Sequence, residues 1–174
     1  MYYQISYYSP QGHAKDLAFS FRRIFPSRTP VVDMAKDIRC DGNLHLIGFE
    51  FFEPKLEIIP DILHNFLSTL ENKEVLLFAT CPICVTEQQQ IKLERNLISA
   101  LPKTCKYHGL FLCQGEVYKT KVNALTEQIL QKQDNKELKE LLRQYRKGKG
   151  HPNREDIRKG YRYIAAEFQL DTYL

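Results

Sequence analysis

Short apolar runs alternate along the chain with segments whose apolar residues recur at helical spacing. The short runs are rich in β-branched and aromatic residues, which is typical of buried strands. They predict strands at residues 2–8, 29–34, 43–52, 73–80 and 106–115. Because helical segments separate these strands, the pattern predicts a parallel sheet with helices on both faces.

The intervening segments carry the start and stop signals of helices. The first predicted helix begins near Ala14 and ends at Pro26, because proline cannot continue a helix. Pro60 suits the first turn of the next helix, where an N–H group has no intrahelical partner. Thr86 and Gln89 form a capping-box pattern, which predicts the start of a further helix.

The chain after the fifth predicted strand is helical but strongly charged. Residues 120–146 are predicted to be helical, and Gly148 and Gly150 interrupt this pattern. Asn153, with Asp156 three residues later, indicates the N-cap of a last helix. The sequence shows no internal repeat and no linker, so we expect the whole chain, residues 1–174, to form a single domain.

Composition narrows the function classes. The 174 residues are 43% hydrophobic and 26% charged, which is typical of a globular protein. No apolar run approaches the ~20 residues of a membrane span. The N-terminus lacks a signal-peptide pattern, so we expect a cytoplasmic protein without a membrane partner. Five cysteines, an odd number, do not suggest a secreted disulfide framework, and a net charge of +4 does not indicate a nucleic-acid partner.

The tight turn after the first strand, Ser9-Pro10-Gln11-Gly12-His13, is the first candidate site. In an open parallel sheet, ligands bind beyond the carboxyl ends of the strands, where the strand order reverses. The helix that follows starts with unpaired N–H groups, which suit an anion such as phosphate. Gly12 would let the backbone close around the anion, and the Ser9 hydroxyl would donate a further hydrogen bond. The alternative is a simple connection in which Gly12 only permits the turn.

The order of elements and this loop resemble flavodoxins, whose first loop reads Ser/Thr-x-Thr-Gly-x-Thr and wraps the phosphate of FMN. Four further stretches are similar to a branch of flavodoxin-like proteins found mostly in anaerobic bacteria. They are LHLIGFEF, VLLFAT, FLCQGEV and GHPNREDI. The resemblance implies a three-layer α/β sandwich around a five-stranded parallel sheet in the order 2-1-3-4-5, with FMN as the cofactor.

By this resemblance, the phosphate of FMN is held by one loop, consisting of Ser9, Pro10, Gln11, Gly12, His13 and Ala14. Gln11 and Ala14 occupy the positions of the two family threonines, so two hydroxyl donors are missing. The amide of Gln11 still provides a donor, and a protonated His13 would add positive charge near phosphate. A solvated residue at the start of the helix is the alternative for His13.

The resemblance assigns the flavin ring to the loops after the third and fourth strands. The predicted ring-binding residues are Phe49, Glu50, Phe51, Phe52, Thr80, Cys81, Pro82 and Ile83. Phe51 or Phe52 would stack on the ring, although both also suit the end of a buried strand. Glu50 and Glu53 would disfavour a reduced, anionic flavin by charge repulsion. Gln114 either touches the ring edge or caps the sheet.

Cys81 and Cys84 form a C-x-x-C pattern just before a predicted helix. Three interpretations remain open: incidental reduced cysteines, a redox-active dithiol coupled to a flavin, and a metal site. A zinc site would need further ligands from Cys105, His108 or Cys113, which lack paired spacing.

The sequence therefore favours an FMN-binding electron carrier over an enzyme with a substrate site of its own. Its partners would be a reductase, an electron acceptor protein or both, and the protein would be a monomer or a homodimer. Two alternatives remain: a flavodoxin-fold binding module that has lost flavin, and an NAD(P)H-dependent FMN or quinone reductase. The basic segment at residues 141–154 is either a docking surface or a solvated helix end.

Overall fold

The computed structural model describes residues 2–132 and 135–170, apart from residues 53, 55, 57 and 58. The strands are β1 (Tyr3–Tyr7), β2 (Val31–Asp33), β3 (Leu44–Glu50), β4 (Glu74–Cys81) and β5 (Lys106–Gln114). The helices are α1 (His13–Phe21), α2 (Asp61–Leu67), α3 (Glu87–Ser99), α4 (Lys119–Gln131), α5 (Lys136–Lys147) and α6 (Arg154–Glu167). A short 3₁₀ turn, Arg22–Ile24, extends α1.

The strands form one parallel sheet in the order β2-β1-β3-β4-β5. This arrangement confirms the predicted α/β sandwich and its strand order. The strand order reverses at β1, because β2 lies on one side of β1 and β3 lies on the other. The loop after β1 therefore lies where an open α/β sheet offers a crevice to a ligand.

Alternation along β3 distributes its side chains between two cores. Ile47 and Phe49 pack on the face covered by α2 and α3, whereas Leu44 and Leu46 pack on the face covered by α1 and α6. Successive strand residues point to opposite faces, so the even-numbered positions of β3 face α1. Glu50, the last residue of β3, belongs to this even-numbered set.

A third, smaller core lies between α4 and α5. It contains Val117, Leu125, Leu142 and Tyr145, and Ile83 from the loop after β4 packs against it. The segment that was predicted as continuously helical is therefore split into a helical hairpin. The side chain of Asn135 accepts a hydrogen bond from the N–H of Leu138 and so starts α5 as a new helix.

The predicted capping box of α3 and the predicted N-cap of α6 are both present, and the second is also a capping box. Thr86 and Gln89 exchange hydrogen bonds at the start of α3, and Asn153 and Asp156 do so at the start of α6. These local signals fixed the beginnings of both helices. Among the described helices, none combines the length and the apolar run that a membrane span requires.

Two glycines allow aromatic rings to approach the backbone in the α1–α6 core. A Cβ on Gly48 would overlap the Phe78 ring, and a Cβ on Gly160 would overlap the Phe21 ring. Phe21 and Phe78 meet edge to face, with ring centroids 5.2 Å apart. The two helices on this face can therefore pack closely on β3 and β4.

We expect Gly48→Ala to lower the free energy of unfolding by about 1–3 kcal/mol, because the new methyl group overpacks a rigid core. Urea denaturation measures this loss. In the Gly48→Ala background, Phe78→Leu should cost less than it costs in the wild type, because the smaller side chain relieves the overlap. Strictly additive costs in this double-mutant cycle would contradict the proposed contact.

Candidate functional site

The carboxyl ends of β1, β3 and β4 meet at one edge of the sheet. Tyr7 at the end of β1 pairs with Gly48, and Glu50 at the end of β3 pairs with Thr80. The predicted cofactor-binding residues lie in the last residues of β3 and β4, in the loops after β1, β3 and β4, and in the first turn of α1. The structure thus brings the phosphate-loop and ring-loop candidates to the same edge.

The loop after β1 closes through a left-handed glycine. Gly12 has φ 95° and ψ −15° and directly precedes α1. Its N–H donates to the carbonyl of Ser9 at 3.3 Å. Because Gly12 has no side chain, the N-cap position itself supplies no acceptor for the first N–H groups of α1.

A carboxylate from a different strand supplies that acceptor. Oε1 of Glu50 accepts hydrogen bonds from the Ser9 hydroxyl at 2.5 Å and from the Ala14 N–H at 2.9 Å. Oε2 accepts from the Gln11 N–H at 2.7 Å. The Ser9 oxygen in turn accepts from the N–H of Lys15 at 2.9 Å. The loop therefore encloses an anion that the chain itself provides.

The environment of Glu50 explains why a charged residue is tolerated there. The residue is 1% exposed, and a buried charge is costly unless it is hydrogen-bonded. Both carboxylate oxygens have donors, and the positive end of α1 adds a favourable field. Hydrogen bonds to an ionised group contribute roughly 1.5–3 kcal/mol each. The interaction joins the end of β3 to the start of α1.

The phosphate of FMN does not fit this arrangement. The donors that would face a phosphate in this loop, the Ser9 hydroxyl and the N–H groups of Gln11 and Ala14, are directed at the carboxylate of Glu50. A phosphate at the same position would overlap the carboxylate and repel its charge. The sequence signal for this arrangement was available: an acidic residue on the α1-facing side of a buried strand.

Pro10 and His13, also predicted to bind phosphate, contact the segment after β5. Pro10 is exposed, and its carbonyl lies 3.5 Å from the hydroxyl of Tyr118. His13 is half-buried, and its Nε2 lies 2.9 Å from the carbonyl oxygen of Glu116. The segment after β5 therefore crosses the sheet edge and contacts the loop after β1. A role for His13 toward phosphate stays a prediction.

In the loop after β3, the phenylalanines differ in position. Phe49 and Phe51 are buried, and their rings lie edge to face with centroids 5.1 Å apart. Phe52 is half-buried, and its carbonyl accepts a hydrogen bond from Nζ of Lys121 at 3.0 Å. Of the two candidates for stacking on a flavin ring, Phe51 is buried and Phe52 is the one that is partly exposed to solvent. Glu53 lies outside the described residues.

The loop after β4 is mostly buried. Thr80, Cys81 and Pro82 are inaccessible to solvent, whereas Ile83 is half-buried against the core between α4 and α5. The side chain of Gln114 fastens this loop to α5: its Nε2 donates to the carbonyls of Pro82 and Gln144. Gln114 therefore ties the end of β5 to the loop after β4 and to α5, and a contact with a flavin ring stays a prediction.

The cysteines of the C-x-x-C pattern have different exposure. Cys81 is 1% exposed, and burial raises the pKa of its thiol far above the ordinary value. Cys84 is exposed, and its Sγ donates to the side-chain carbonyl of Gln114 at 3.3 Å. A raised pKa disfavours the thiolate that redox chemistry needs. This finding favours the interpretation of Cys81 as an incidental reduced cysteine.

The other predicted metal-ligand candidates are dispersed or paired elsewhere. Burial raises the pKa of Cys105 to about 11 and that of Cys113 to about 12. Nε2 of His108 lies 2.7 Å from the Glu74 carboxylate. In the part of the chain that the structure describes, no three His, Cys, Asp or Glu side chains form a group that could hold a metal ion.

A cleft of about 500 Å³ opens between the loop after β4 and α5. Pro54, Ile83 and Leu141 give it an apolar floor, and polar side chains from α3 and α5 surround it. Its volume lies within the range of small-molecule sites, which are typically apolar with a few polar groups. Sequence reasoning missed this cleft, because it depends on how the helical hairpin packs.

Comparison with known proteins agrees with the fold. A family model described as a flavodoxin domain matches residues 4–165. A flavodoxin-like domain-containing protein, BilS, from Clostridioides difficile is 23% identical over 155 residues, which are 88% of each chain. Among solved structures, the chain is similar to a short-chain flavodoxin associated with a non-canonical PDU bacterial microcompartment, with which it shares 9% sequence identity. That likeness has a TM-score of 0.48 and covers 92% of this chain and 99% of the flavodoxin.

We expect Glu50→Ala to lower the free energy of unfolding by about 1–3 kcal/mol, because it leaves buried donors without an acceptor. Chemical denaturation at neutral pH measures the loss. Glu71→Ala is the control, because Glu71 is an exposed acidic residue and its removal should change stability by no more than about 0.5 kcal/mol. Equal effects of the two substitutions would contradict the capping role of Glu50.

We expect iodoacetamide to alkylate Cys84 well before Cys81 in the native protein at mildly alkaline pH. Cys84 is exposed, whereas Cys81 is buried with a raised pKa and has little thiolate to react. Peptide mass spectrometry over a time course measures both rates. Cys84→Ser should remove the fast phase, and equally fast labelling of Cys81 would contradict the burial of its thiol.

Proposed function

Since the chain belongs to the flavodoxin-domain family, we propose that it binds a flavin at the carboxyl edge of its sheet and transfers electrons between protein partners. The observation that carries this proposal is the family match over residues 4–165, which includes every loop at that edge. FMN is the flavin that the family suggests. In this proposal the redox chemistry belongs to the flavin, and the chain supplies its binding surface.

The loops after β3 and β4 are the proposed holders of the flavin ring. Phe52 offers a partly exposed aromatic face, and Ile83 borders the apolar cleft. Aromatic and aliphatic surfaces bind a flat, largely apolar ring with little loss of side-chain entropy. Thr80, Cys81 and Pro82 support this surface from below because they are buried. The ring site thus does not depend on the loop that Glu50 fills.

The partner in this proposal is a protein with an acidic docking face. A groove of about 450 Å³ between α4 and α5 is lined by cationic and apolar side chains: Ile129, Lys139, Leu142, Arg143, Arg146 and Lys147. The chain carries a net charge of +4. Charge complementarity accelerates the encounter of redox partners and orients them. The groove adjoins the same helical hairpin that borders the cleft.

A second candidate function is supported by Glu50. A flavodoxin-fold binding module that has lost flavin would keep the fold and satisfy the first loop with its own carboxylate. Such a module would act through surface contacts, and the α4–α5 hairpin would provide the contact surface. The two candidates differ in one measurable property, which is the presence of bound flavin.

The test is the visible spectrum of protein purified from a flavin-replete host, followed by titration with FMN and riboflavin. We expect flavin absorbance or saturable quenching of flavin fluorescence, because the cleft offers a ring-sized apolar surface. A colourless protein that binds neither flavin would reject the electron carrier and leave the binding module. Anaerobic NADPH without a partner should not bleach the bound flavin, and rapid bleaching would indicate a reductase instead.

The cationic groove between α4 and α5 gives a second test of the electron-carrier proposal. Arg146→Glu together with Lys147→Glu should slow the reduction of an acidic acceptor protein by about tenfold or more at low salt. Stopped-flow absorbance measures the rate. Lys92→Glu together with Lys159→Glu, on α3 and α6, is the matched control for net charge. An equal slowing by both pairs would exclude a specific docking role for the groove.

A further inference from the structure

We infer that Glu50 takes the place of the flavin phosphate in this protein, so that the chain recognises a flavin without using its phosphate. The inference rests on the proposed flavin binding and specifies its ligand class. Riboflavin should serve this chain as well as FMN does. Glu50 is then the specificity-determining residue of the first loop.

The hydrogen bonding of the loop carries the inference. Three donors, from Ser9, Gln11 and Ala14, meet the two oxygens of one carboxylate at 2.5–2.9 Å. These distances are those of charge-assisted hydrogen bonds. The Ser9 oxygen also accepts from Lys15, which fixes the direction of its hydroxyl proton toward Glu50. These three donors are therefore satisfied without an external anion.

The backbone around Glu50 prevents a simple rearrangement. Glu50 is paired with Thr80 in the β3–β4 ladder, and the N–H of Phe51 donates to the carbonyl of Thr80 at 2.9 Å. The main chain at this position is consequently fixed by the sheet. Only a rotation of the Glu50 side chain would vacate the loop, and it would abandon all three donors.

Among the described contacts, neither Ala14 nor His13 donates a side-chain hydrogen bond to the Glu50 carboxylate. Ala14 is fully buried and contributes only its N–H. Nε2 of His13 lies 2.9 Å from the carbonyl oxygen of Glu116, so this ring nitrogen is already engaged by the segment after β5. A phosphate would bring more charge and a larger volume than a carboxylate to a position whose donors match two oxygens. Charge and shape therefore both select Glu50.

The first experiment compares the dissociation constants of FMN and riboflavin in phosphate-free buffer. We expect the wild type to bind the two within about threefold of each other, because the phosphate makes no favourable contact. In Glu50→Ala, FMN affinity should rise about tenfold or more while riboflavin affinity stays the same. Glu50→Gln, which keeps the side-chain length without the charge, should change in the same direction. Glu71→Ala is the charge control.

A wild type that prefers FMN strongly, with FMN affinity lost in Glu50→Ala, would overturn the inference while leaving the proposed function intact. A wild type that binds neither flavin would reject the proposed function, and inorganic phosphate then decides the inference. Phosphate should raise the melting temperature of Glu50→Ala, but not of the wild type, relative to sodium chloride at equal ionic strength. Stabilisation of both proteins, or of neither, would overturn the role assigned to Glu50.

Discussion

The hydrogen bonds between the Glu50 carboxylate and the start of α1 hold together the carboxyl edge of the sheet, where the flavin site is proposed. They join the end of β3 to the loop after β1 across 36 or more residues of sequence. The cost of burying the charge is offset because both oxygens have donors and the helix dipole points at them. A strand end, a turn and a helix start are thereby held in one geometry.

The segment after β5 depends on that geometry. It crosses the same edge, where Glu116 contacts His13, Tyr118 approaches the carbonyl of Pro10, and Lys121 bonds the carbonyl of Phe52. These contacts require the first loop to lie where Glu50 holds it. The α4–α5 hairpin that follows then packs on Ile83 and borders the cleft beside the loop after β4. The segment after β5 and its hairpin thus contact the first loop at one end and border the cleft at the other.

The two candidate functions differ in what replaces a lost phosphate contact. An electron carrier would hold its flavin by the ring, through Phe52 and the cleft at Ile83, and would bind it less tightly than a protein that also holds the phosphate. A binding module would use the hairpin surface alone. Burial and a raised pKa make the thiol of Cys81 poorly suited to redox chemistry, and in the electron-carrier proposal the flavin supplies that chemistry.

The sequence by itself determined the strands, their parallel arrangement and the capped starts of α3 and α6, because apolar periodicity and N-cap chemistry act over a few residues. It also brought the first loop and the loops after β3 and β4 to attention through their resemblance to flavodoxins. Only the tertiary structure decided that Phe51 is buried while Phe52 is partly exposed, and that the last charged segment forms a hairpin over the cleft. It likewise decided that Glu50 fills the first loop. Each of these outcomes depends on contacts between residues far apart in the chain. Strand alternation placed Glu50 on the α1-facing side of β3, but no local pattern named the donors that it would meet.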